Sequence, residues 1–113
     1  MNNFLVVIPT YNERESIEKV IIALSKLRES NSLSVLIVDD GSPDRTADFV
    51  DSLGLNFVTV LRRSEKSGLG ASYRAGFSWG LAQPQFTHFV SMDGDGSHRA
   101  IDLEQMISES IGS

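Results

Sequence analysis

The sequence predicts an α/β fold in which a parallel sheet is flanked by helices, and three patterns support this. Short, continuous apolar runs rich in β-branched residues are typical of strands buried on both faces of a parallel sheet. Between these runs, apolar residues recur at the three- and four-residue spacing of amphipathic helices. Strand and helix patterns alternate four times without internal repeats or an obvious linker, which is typical of consecutive βαβ units.

The first strand and helix follow directly from the N-terminal residues. Phe4 to Ile8 is the first apolar run, and Pro9 ends it. Asn12 can cap the next segment, and Glu15 three residues later completes a capping-box-like pair, which predicts a helix of about four turns. The apolar stripe of this helix is Ile17, Val20, Ile21, Leu24 and Leu27. Leu33 to Val38 then predicts the second strand.

A turn containing proline predicts the second helix. Ser42 suits the N-cap and Pro43 the first helical position, where the missing N–H of proline costs nothing, and the helix runs to about Val50. Phe57 to Leu61 predicts the third strand. The third helix is predicted over residues 67–81. Its apolar stripe is Leu69, Tyr73, Phe77 and Leu81.

Two glycines and a final strand complete the predicted topology. Gly76 and Gly80 lower the propensity of the third helix and indicate close packing on the sheet. Phe86 to Met92 predicts the fourth strand, and a fourth helix follows Ser97. The stripe of that helix is Leu103, Met106, Ile107 and Ile111. Right-handed crossovers then favour the Rossmann-like strand order 3-2-1-4.

Composition excludes several classes of protein. The 113 residues are enough for one domain. The absence of cysteine excludes disulfides and thiolate metal sites, which fits a reducing compartment. A net charge of −5 argues against nucleic-acid binding, which depends on clustered Lys and Arg. The first apolar run ends at Pro9, so we expect neither a signal peptide nor a membrane span.

Polar residues follow every predicted strand, and in parallel sheets ligands bind beyond those carboxyl ends. After the fourth strand, Asp93 and Asp95 offer the oxygen ligands that Mg²⁺ or Mn²⁺ prefers. Two carboxylates leave coordination positions for water and for a diphosphate. A polar turn after a buried strand would contain the same residue types, and the spacing alone leaves both interpretations open.

A calcium-binding loop is a further interpretation of the same stretch. Asp93, Asp95, Ser97 and Glu104 fall at the first, third, fifth and twelfth positions of an EF-hand. The sixth position requires glycine but holds His98, and a strand precedes the loop where an EF-hand has a helix. Both differences argue against calcium.

The other strand ends are ambiguous on local grounds. Asp39 and Asp40 could accept hydrogen bonds from a base or a ribose, although Asp-Gly-Ser-Pro is also a good turn and helix start. Arg63 and Lys66 could hold phosphate oxygens near a helix N-terminus, or form a solvated basic turn. A phosphoacceptor receiver domain is another hypothesis for a chain of this size with an acidic pair. In receiver domains, however, the acidic pair follows the first strand, whereas Asp39 and Asp40 follow the second.

Four segments taken together resemble family 2 glycosyltransferases, in particular the dolichol-phosphate or polyprenyl-phosphate mannosyltransferase branch. They are Val-Ile-Pro-Thr-Tyr-Asn-Glu (7–13), Val-Asp-Asp-Gly-Ser-Pro-Asp-Arg-Thr (38–46), Arg-Ser-Glu-Lys-Ser-Gly-Leu-Gly-Ala-Ser-Tyr (63–73) and Met-Asp-Gly-Asp-Gly-Ser-His (92–98). Their order and spacing are far more specific than any single segment, and they span nearly the whole chain.

The resemblance implies a GT-A fold, a nucleotide-sugar donor such as GDP-mannose, a divalent cation, Mg²⁺ or Mn²⁺, and inverting transfer to a lipid phosphate. The residues it implies for the nucleoside pocket are Pro9, Tyr11, Glu13 and Asp39, with Asp40 in support. Those it implies for a basic loop near the donor are Arg63 and Lys66. Those it implies for the metal and the diphosphate are Asp93, Asp95 and Ser97.

A complete catalytic domain of this family is longer than this chain and carries the acceptor site in its second half. We therefore expect residues 1–113 to be the nucleotide-sugar-binding half, truncated and weakly active or inactive alone. We expect a cytoplasmic location, peripheral to the membrane in the full-length enzyme, and self-association through an uncovered sheet edge. A non-catalytic nucleotide- or metal-binding module is the competing hypothesis.

Overall fold

A computed structural model describes residues 3–64 and 68–94 of the chain. The strands are β1 (Phe4–Thr10), β2 (Leu33–Asp39), β3 (Val58–Arg62) and β4 (His88–Ser91). The helices are α1 (Arg14–Leu27), α2 (Thr46–Ser52) and α3 (Leu69–Leu81). The strands form one parallel sheet in the order β3-β2-β1-β4, which confirms the predicted topology. The predicted fourth helix lies outside the described residues, as do Lys66, Asp95 and Ser97.

The register of the sheet aligns the carboxyl ends of its strands. Thr10 pairs with Asp39, and Asp39 pairs with Arg62, so the last residues of β1, β2 and β3 lie side by side. On the other side of β1, the pairing with β4 runs from Phe4 and His88 to Val7 and Ser91. β4 is thus shorter than predicted and ends just before the Asp-Gly-Asp segment. All four strands deliver the residues that follow them to one edge.

The two faces of the sheet carry separate apolar clusters. One face of β1 and β2 packs with α1 and α2, and the opposite face packs with α3. This division follows from right-handed crossovers, since the chain moves one way along the sheet through α1 and α2 and returns through α3. The buried residues shared by β1 and β2 on the α3 face are Leu5, Val7, Leu36 and Val38.

The contact face of α3 differs from its predicted apolar stripe. Tyr73 and Phe77 do pack on the sheet cluster. Leu69 and Leu81, however, are 58% and 73% exposed, and this part of the prediction was wrong. The buried positions of α3 are instead Ser72, Gly76 and Gly80. At Gly76 and Gly80 the helix lies so close to the sheet that a Cβ would overlap side chains of the strands.

The starts of α1 and α2 also differ from the predicted caps. Asn12 has a φ of 56° and lies outside α1, while α2 begins at Thr46 and not at Pro43. Asn12 and Ser42, the predicted caps, instead take part in hydrogen bonds between the β1–α1 loop and the β2–α2 loop. The Ser42 hydroxyl accepts a hydrogen bond from the Asn12 N–H (2.9 Å), and the Asn12 amide oxygen accepts one from the Asp44 N–H (3.2 Å).

Asp44 extends this bridge between the β1–α1 and β2–α2 loops. Its carboxylate accepts hydrogen bonds from the Arg14 N–H (3.2 Å) and from the N–H (3.0 Å) and hydroxyl of Thr46. Burial alone would raise the pKa of Asp44, but the hydrogen bonds from Thr46 and Arg14 outweigh it and hold the pKa below its ordinary value. The first turns of α1 and α2 are therefore both held by one ionised side chain.

β3 and β4 are the outer strands of the described sheet. Outer strands present unpaired backbone groups on one side, so self-association through such an edge stays a prediction. Among the described residues, no helix has both the length and the apolar character needed to cross a membrane.

We expect Gly76→Ala to destabilise the protein by about 1–3 kcal/mol, because the added methyl group would overlap Val7 Cγ1 on a buried strand. Gly80→Ala should act similarly, since its Cβ would lie 2.5 Å from Phe89 Cε1. Urea unfolding measures both. Gly70→Ala in the same helix is the control, because among the described residues its Cβ would meet the end of the Arg74 side chain at 3.3 Å and no part of the sheet. Equal stability of the Gly70 and Gly76 variants would contradict the close packing of α3.

Asp44→Asn should lower the free energy of unfolding at pH 7 by about 0.5–1 kcal/mol, because it removes charge-assisted hydrogen bonds at two helix starts. A carboxylate whose pKa is lowered by folding stabilises the native state above its ordinary pKa of 3.8. That stabilisation is lost as the pH falls through the folded-state pKa. The difference between wild type and variant should accordingly shrink below pH 3.8.

Urea titrations at pH 7 and at acidic pH test this prediction, with Glu18→Gln on the exposed side of α1 as the matched loss of one carboxylate. A difference for Asp44→Asn that is the same at both pH values would show that charge is not what Asp44 contributes.

Candidate functional site

The carboxyl edge of the sheet contains a cleft between the β1–α1 loop and the start of α3. Its volume is about 220 Å³. Four of the predicted site residues contribute to its wall, and they come from two segments, the end of β1 with its following loop and the end of β2. The lining residues are Pro9, Thr10, Tyr11, Glu13, Asp40, Gly68, Leu69 and Ser72. The register of β1 and β2 is what brings the β1–α1 loop and Asp40 together here.

Asp39 lies behind this cleft and holds the loop that follows β2. Its side chain is buried and accepts hydrogen bonds from the hydroxyls of Thr10 (2.8 Å) and Ser42 (2.6 Å). The Ser42 N–H donates a third, at 3.0 Å, to the other carboxylate oxygen. The sequence assigned nucleoside contact to Asp39 and a supporting role to Asp40. In the structure it is Asp40 that lines the cleft, and ligand contact by either residue stays a prediction.

Asp40 is held by Ser72 and Arg63. Asp40 is only 5% exposed, and its Oδ2 accepts a hydrogen bond from the Ser72 hydroxyl at 2.6 Å. Arg63 Nη1 lies 3.4 Å from Asp40 Oδ1 and 3.4 Å from Ser72 Oγ. A buried carboxylate is tolerated only with such partners, because removing its hydration is costly. The predicted basic residue Arg63 thus fixes a cleft carboxylate.

Sequence reasoning missed Ser72. A signal was nevertheless present, because Ser72, Gly76 and Gly80 are small residues spaced four apart in one helix. Such a stripe marks the side of a helix that lies close to its neighbour. On that side the serine hydroxyl of α3 reaches the end of β2.

Asp93 and Gly94 leave β4 between α1 and α3. The Tyr73 hydroxyl of α3 lies 3.2 Å from Asp93 Oδ1 and donates to it. The Ser16 hydroxyl of α1 donates to the Gly94 carbonyl at 2.7 Å. Gly94 is buried, and a Cβ there would lie 3.0 Å from Thr10 Cγ2. Asp93 is therefore held from α3, and Gly94 is held from α1 and from the end of β1.

The chemistry of this edge suits a divalent cation. Asp93 is half-buried and supplies the hard carboxylate oxygens that Mg²⁺ and Mn²⁺ prefer. Within residues 3–64 and 68–94 no group of three or more acidic or histidine side chains could hold a metal by itself. The other two predicted ligands, Asp95 and Ser97, lie outside the described residues, so the geometry of a complete metal site is untested.

Curated relatives match most of the chain. A polyprenol monophosphomannose synthase from Mycolicibacterium smegmatis is 42% identical over 106 residues, which are 91% of this chain and 39% of that protein. An undecaprenyl-phosphate mannosyltransferase from Micrococcus luteus is 44% identical over 106 residues, 91% of this chain and 42% of that protein. A dolichol-phosphate mannosyltransferase from Pyrococcus furiosus is 35% identical over 94 residues, 82% of this chain and 26% of that protein. The chain spans less than half the length of these relatives.

Solved structures share the fold. A glucosyl-3-phosphoglycerate synthase from Mycobacterium tuberculosis, in complex with Mn²⁺, UDP and phosphoglyceric acid, superposes with a TM-score of 0.72. The two chains are 23% identical, and the superposition covers 96% of this chain and 39% of the synthase chain. A mannosyltransferase from Pyrobaculum calidifontis, in complex with GDP-Man and Mn²⁺, superposes with a TM-score of 0.63. It is also 23% identical and covers 82% of this chain and 27% of its own.

These similarities confirm two of the expectations drawn from the sequence. The structural neighbours have the GT-A fold, in agreement with the strand order 3-2-1-4. The family model for glycosyl transferase family 2 matches residues 5–110, which is nearly the whole chain. On this match, the chain belongs to glycosyl transferase family 2.

Proposed function

We propose that this chain is the nucleotide-sugar-binding half of an enzyme that transfers mannose from GDP-mannose to a polyprenyl or dolichyl phosphate. The observation that carries the proposal is the cleft at the carboxyl edge, which Tyr11, Glu13 and Asp40 line. The end of β1 also lines this cleft and packs against Gly94, the residue after Asp93. The sugar and the acceptor are inferred from the names of the relatives, among them the undecaprenyl-phosphate mannosyltransferase that is 44% identical. The donor is inferred from the GDP-Man bound by the structural neighbour from Pyrobaculum calidifontis.

The cleft supports binding of the nucleoside. Its volume of about 220 Å³ can accommodate one base, and Tyr11 and Leu69 in its wall offer apolar surface. The carboxylates of Glu13 and Asp40 can accept hydrogen bonds from N–H groups of guanine or from ribose hydroxyls. Because Arg63 and Ser72 already hold Asp40, that carboxylate is oriented before a ligand arrives. The remaining proposed nucleoside residues are Pro9 and Asp39.

The opposite end of the edge is proposed to hold the diphosphate and the metal. In the proposal Asp93, Asp95 and Ser97 bind Mg²⁺ or Mn²⁺. Arg63 and Lys66 belong to a basic loop near the donor, where Arg63 also holds Asp40. The cation would offset the negative charge that develops on the departing nucleoside diphosphate. Tyr73 contributes by directing Asp93 Oδ1 through its hydroxyl. Asp93 is thereby kept at the edge, within reach of a diphosphate that extends from the cleft.

The transfer itself requires an acceptor phosphate. One of its oxygens would attack the anomeric carbon as the bond from that carbon to the GDP oxygen breaks, with inversion. The curated relatives are more than twice as long as this chain, and in the proposal the acceptor is bound by such additional residues. The full-length enzyme would work at the cytoplasmic face of a membrane, where the lipid phosphate is presented.

Titrating GDP into two variants, each with Mn²⁺ and with EDTA, distinguishes the nucleoside end of the site from the metal end. We expect Asp93→Asn to reduce the increase in GDP affinity caused by Mn²⁺ by about tenfold or more, because it removes a proposed ligand. Asp40→Asn should weaken GDP binding both with Mn²⁺ and in EDTA, because it alters the nucleoside end. Isothermal titration calorimetry with GDP, with and without Mn²⁺, measures each affinity.

Asp51→Asn is the matched control, since the Asp51 side chain forms an exposed ion pair with Arg62, away from the cleft lining. Thermal unfolding of each variant shows whether it is folded. Wild-type protein that binds GDP equally with Mn²⁺ and with EDTA would contradict the proposed donor site, and UDP bound as tightly as GDP would contradict the proposed base.

The purified 113-residue chain should show little or no mannosyl transfer when it is incubated with GDP-[¹⁴C]mannose, Mn²⁺ and a polyprenyl phosphate. The reason is that the proposed acceptor site belongs to residues of the longer enzyme. Radioactive lipid in the organic extract measures the product. The undecaprenyl-phosphate mannosyltransferase from Micrococcus luteus assayed in parallel is the positive control. Efficient transfer by the 113-residue chain would overturn the assignment of residues 1–113 as a donor half.

A further inference from the structure

Ser16 links the two ends of the proposed site. It lies in the first turn of α1, three residues after Glu13 in the cleft wall. Its Oγ is 2.7 Å from the Gly94 carbonyl oxygen, 3.2 Å from the Glu13 carbonyl oxygen and 3.3 Å from Glu13 Oε2. A hydroxyl has one proton to donate, and the distances favour Gly94 as its acceptor. The Glu13 carbonyl is in any case bonded by the Ile17 N–H at 2.8 Å.

Packing also restricts the backbone of Gly94, independently of the hydrogen bond from Ser16. β4 pairs with β1 as far as the hydrogen bond from the Met92 N–H to the Val7 carbonyl (3.0 Å), and the chain then leaves the strand. Gly94 is buried there. A Cβ at this position would lie 3.0 Å from Thr10 Cγ2 and 3.1 Å from the Pro9 carbonyl oxygen. The end of β1 thus closes one side of Gly94, and the Ser16 hydroxyl binds its carbonyl.

The Ser16 hydroxyl is therefore placed to act on Asp93 through the backbone. Gly94 follows Asp93 directly and precedes Asp95. Rotation of the Gly94 peptide would redirect the backbone on either side of it, and with it the proposed metal ligands. The Tyr73 hydroxyl restrains the Asp93 side chain, whereas Ser16 restrains the peptide. The two contacts come from helices on opposite faces of the sheet.

We propose that Ser16 is a positioning residue for the metal end of the donor site, which it ties to the first turn of α1 through the Gly94 carbonyl. The inference rests on the proposed function of this edge. Ser16 is not among the residues that line the cleft, and its contact with the Glu13 carboxylate, at 3.3 Å, is much longer than its 2.7 Å bond to Gly94. Its loss should therefore affect the nucleoside end far less than the metal end. Its effect should fall mainly on the part of donor affinity that depends on the metal.

The experiment compares GDP binding by calorimetry, with Mn²⁺ and with EDTA, for the 113-residue chain and its Ser16 variants. In Ser16→Ala the affinity increase caused by Mn²⁺ should fall by about tenfold, while affinity in EDTA stays within about twofold of wild type. Ser16→Cys should behave like Ser16→Ala, because a thiol of similar size is a weak donor. Ser16→Thr keeps a hydroxyl and should retain most of the Mn²⁺ effect.

Ser25→Ala is the matched control, since Ser25 lies in the same helix and its hydroxyl donates to the Ile22 carbonyl three residues earlier at 2.8 Å. It should bind GDP like wild type under both conditions. Thermal unfolding monitors folding, and if Ser16→Ala does not fold, the contrast between Ser16→Cys and Ser16→Thr decides.

Three outcomes would overturn the inference. A full Mn²⁺ effect in folded Ser16→Ala and Ser16→Cys would refute it and leave the proposed function intact. Equal loss of affinity with Mn²⁺ and with EDTA would show that Ser16 only supports the fold. Wild-type protein without any Mn²⁺ effect would refute both the inference and the donor site on which it rests.

Discussion

The parallel pairing of β1 with β2 and β4 is the constraint on which the rest of the structure depends. β1 has a partner on each side and is covered by helices on both faces, so it can hold only apolar residues until it reaches the carboxyl edge. At that edge the register places Thr10 beside Asp39 and brings Asp93 out just beyond the end of β4. The polar residues are therefore excluded from the body of the sheet and collected at one edge, where a ligand can reach them.

Each buried carboxylate at this edge has hydrogen-bond partners nearby, and these contacts shape the site. Asp39 is satisfied by Thr10 and Ser42, which shapes the loop after β2, and Asp40 is satisfied by Ser72 and Arg63. Because an unpaired buried charge would be costly, each carboxylate draws a specific partner from another segment. Adjacent aspartates thereby acquire different surroundings, one facing the interior of a loop and the other facing the cleft.

Helices from both faces of the sheet converge on the segment after β4. α1 reaches it through Ser16 and α3 through Tyr73, while the end of β1 packs against Gly94. Ser16 adjoins the buried Ile17 in the first turn of α1, and Tyr73 itself packs on the sheet cluster. The fold thereby brings the cleft and the acidic segment to the same edge, and these contacts hold the edge on which the proposed donor chemistry depends.

The alternation of strands and helices, the strand order and the family were predictable from the chain alone, because hydrophobic periodicity and the order and spacing of four polar segments can be read along it. Which side chains come into contact was not predictable in this way. The caps predicted at Asn12 and Ser42 became a bridge between loops, and α3 turned its glycines and Ser72 toward the sheet in place of Leu69 and Leu81. The physical reason is that close packing and the pairing of buried polar groups are settled between segments far apart in sequence, where local propensity carries no information.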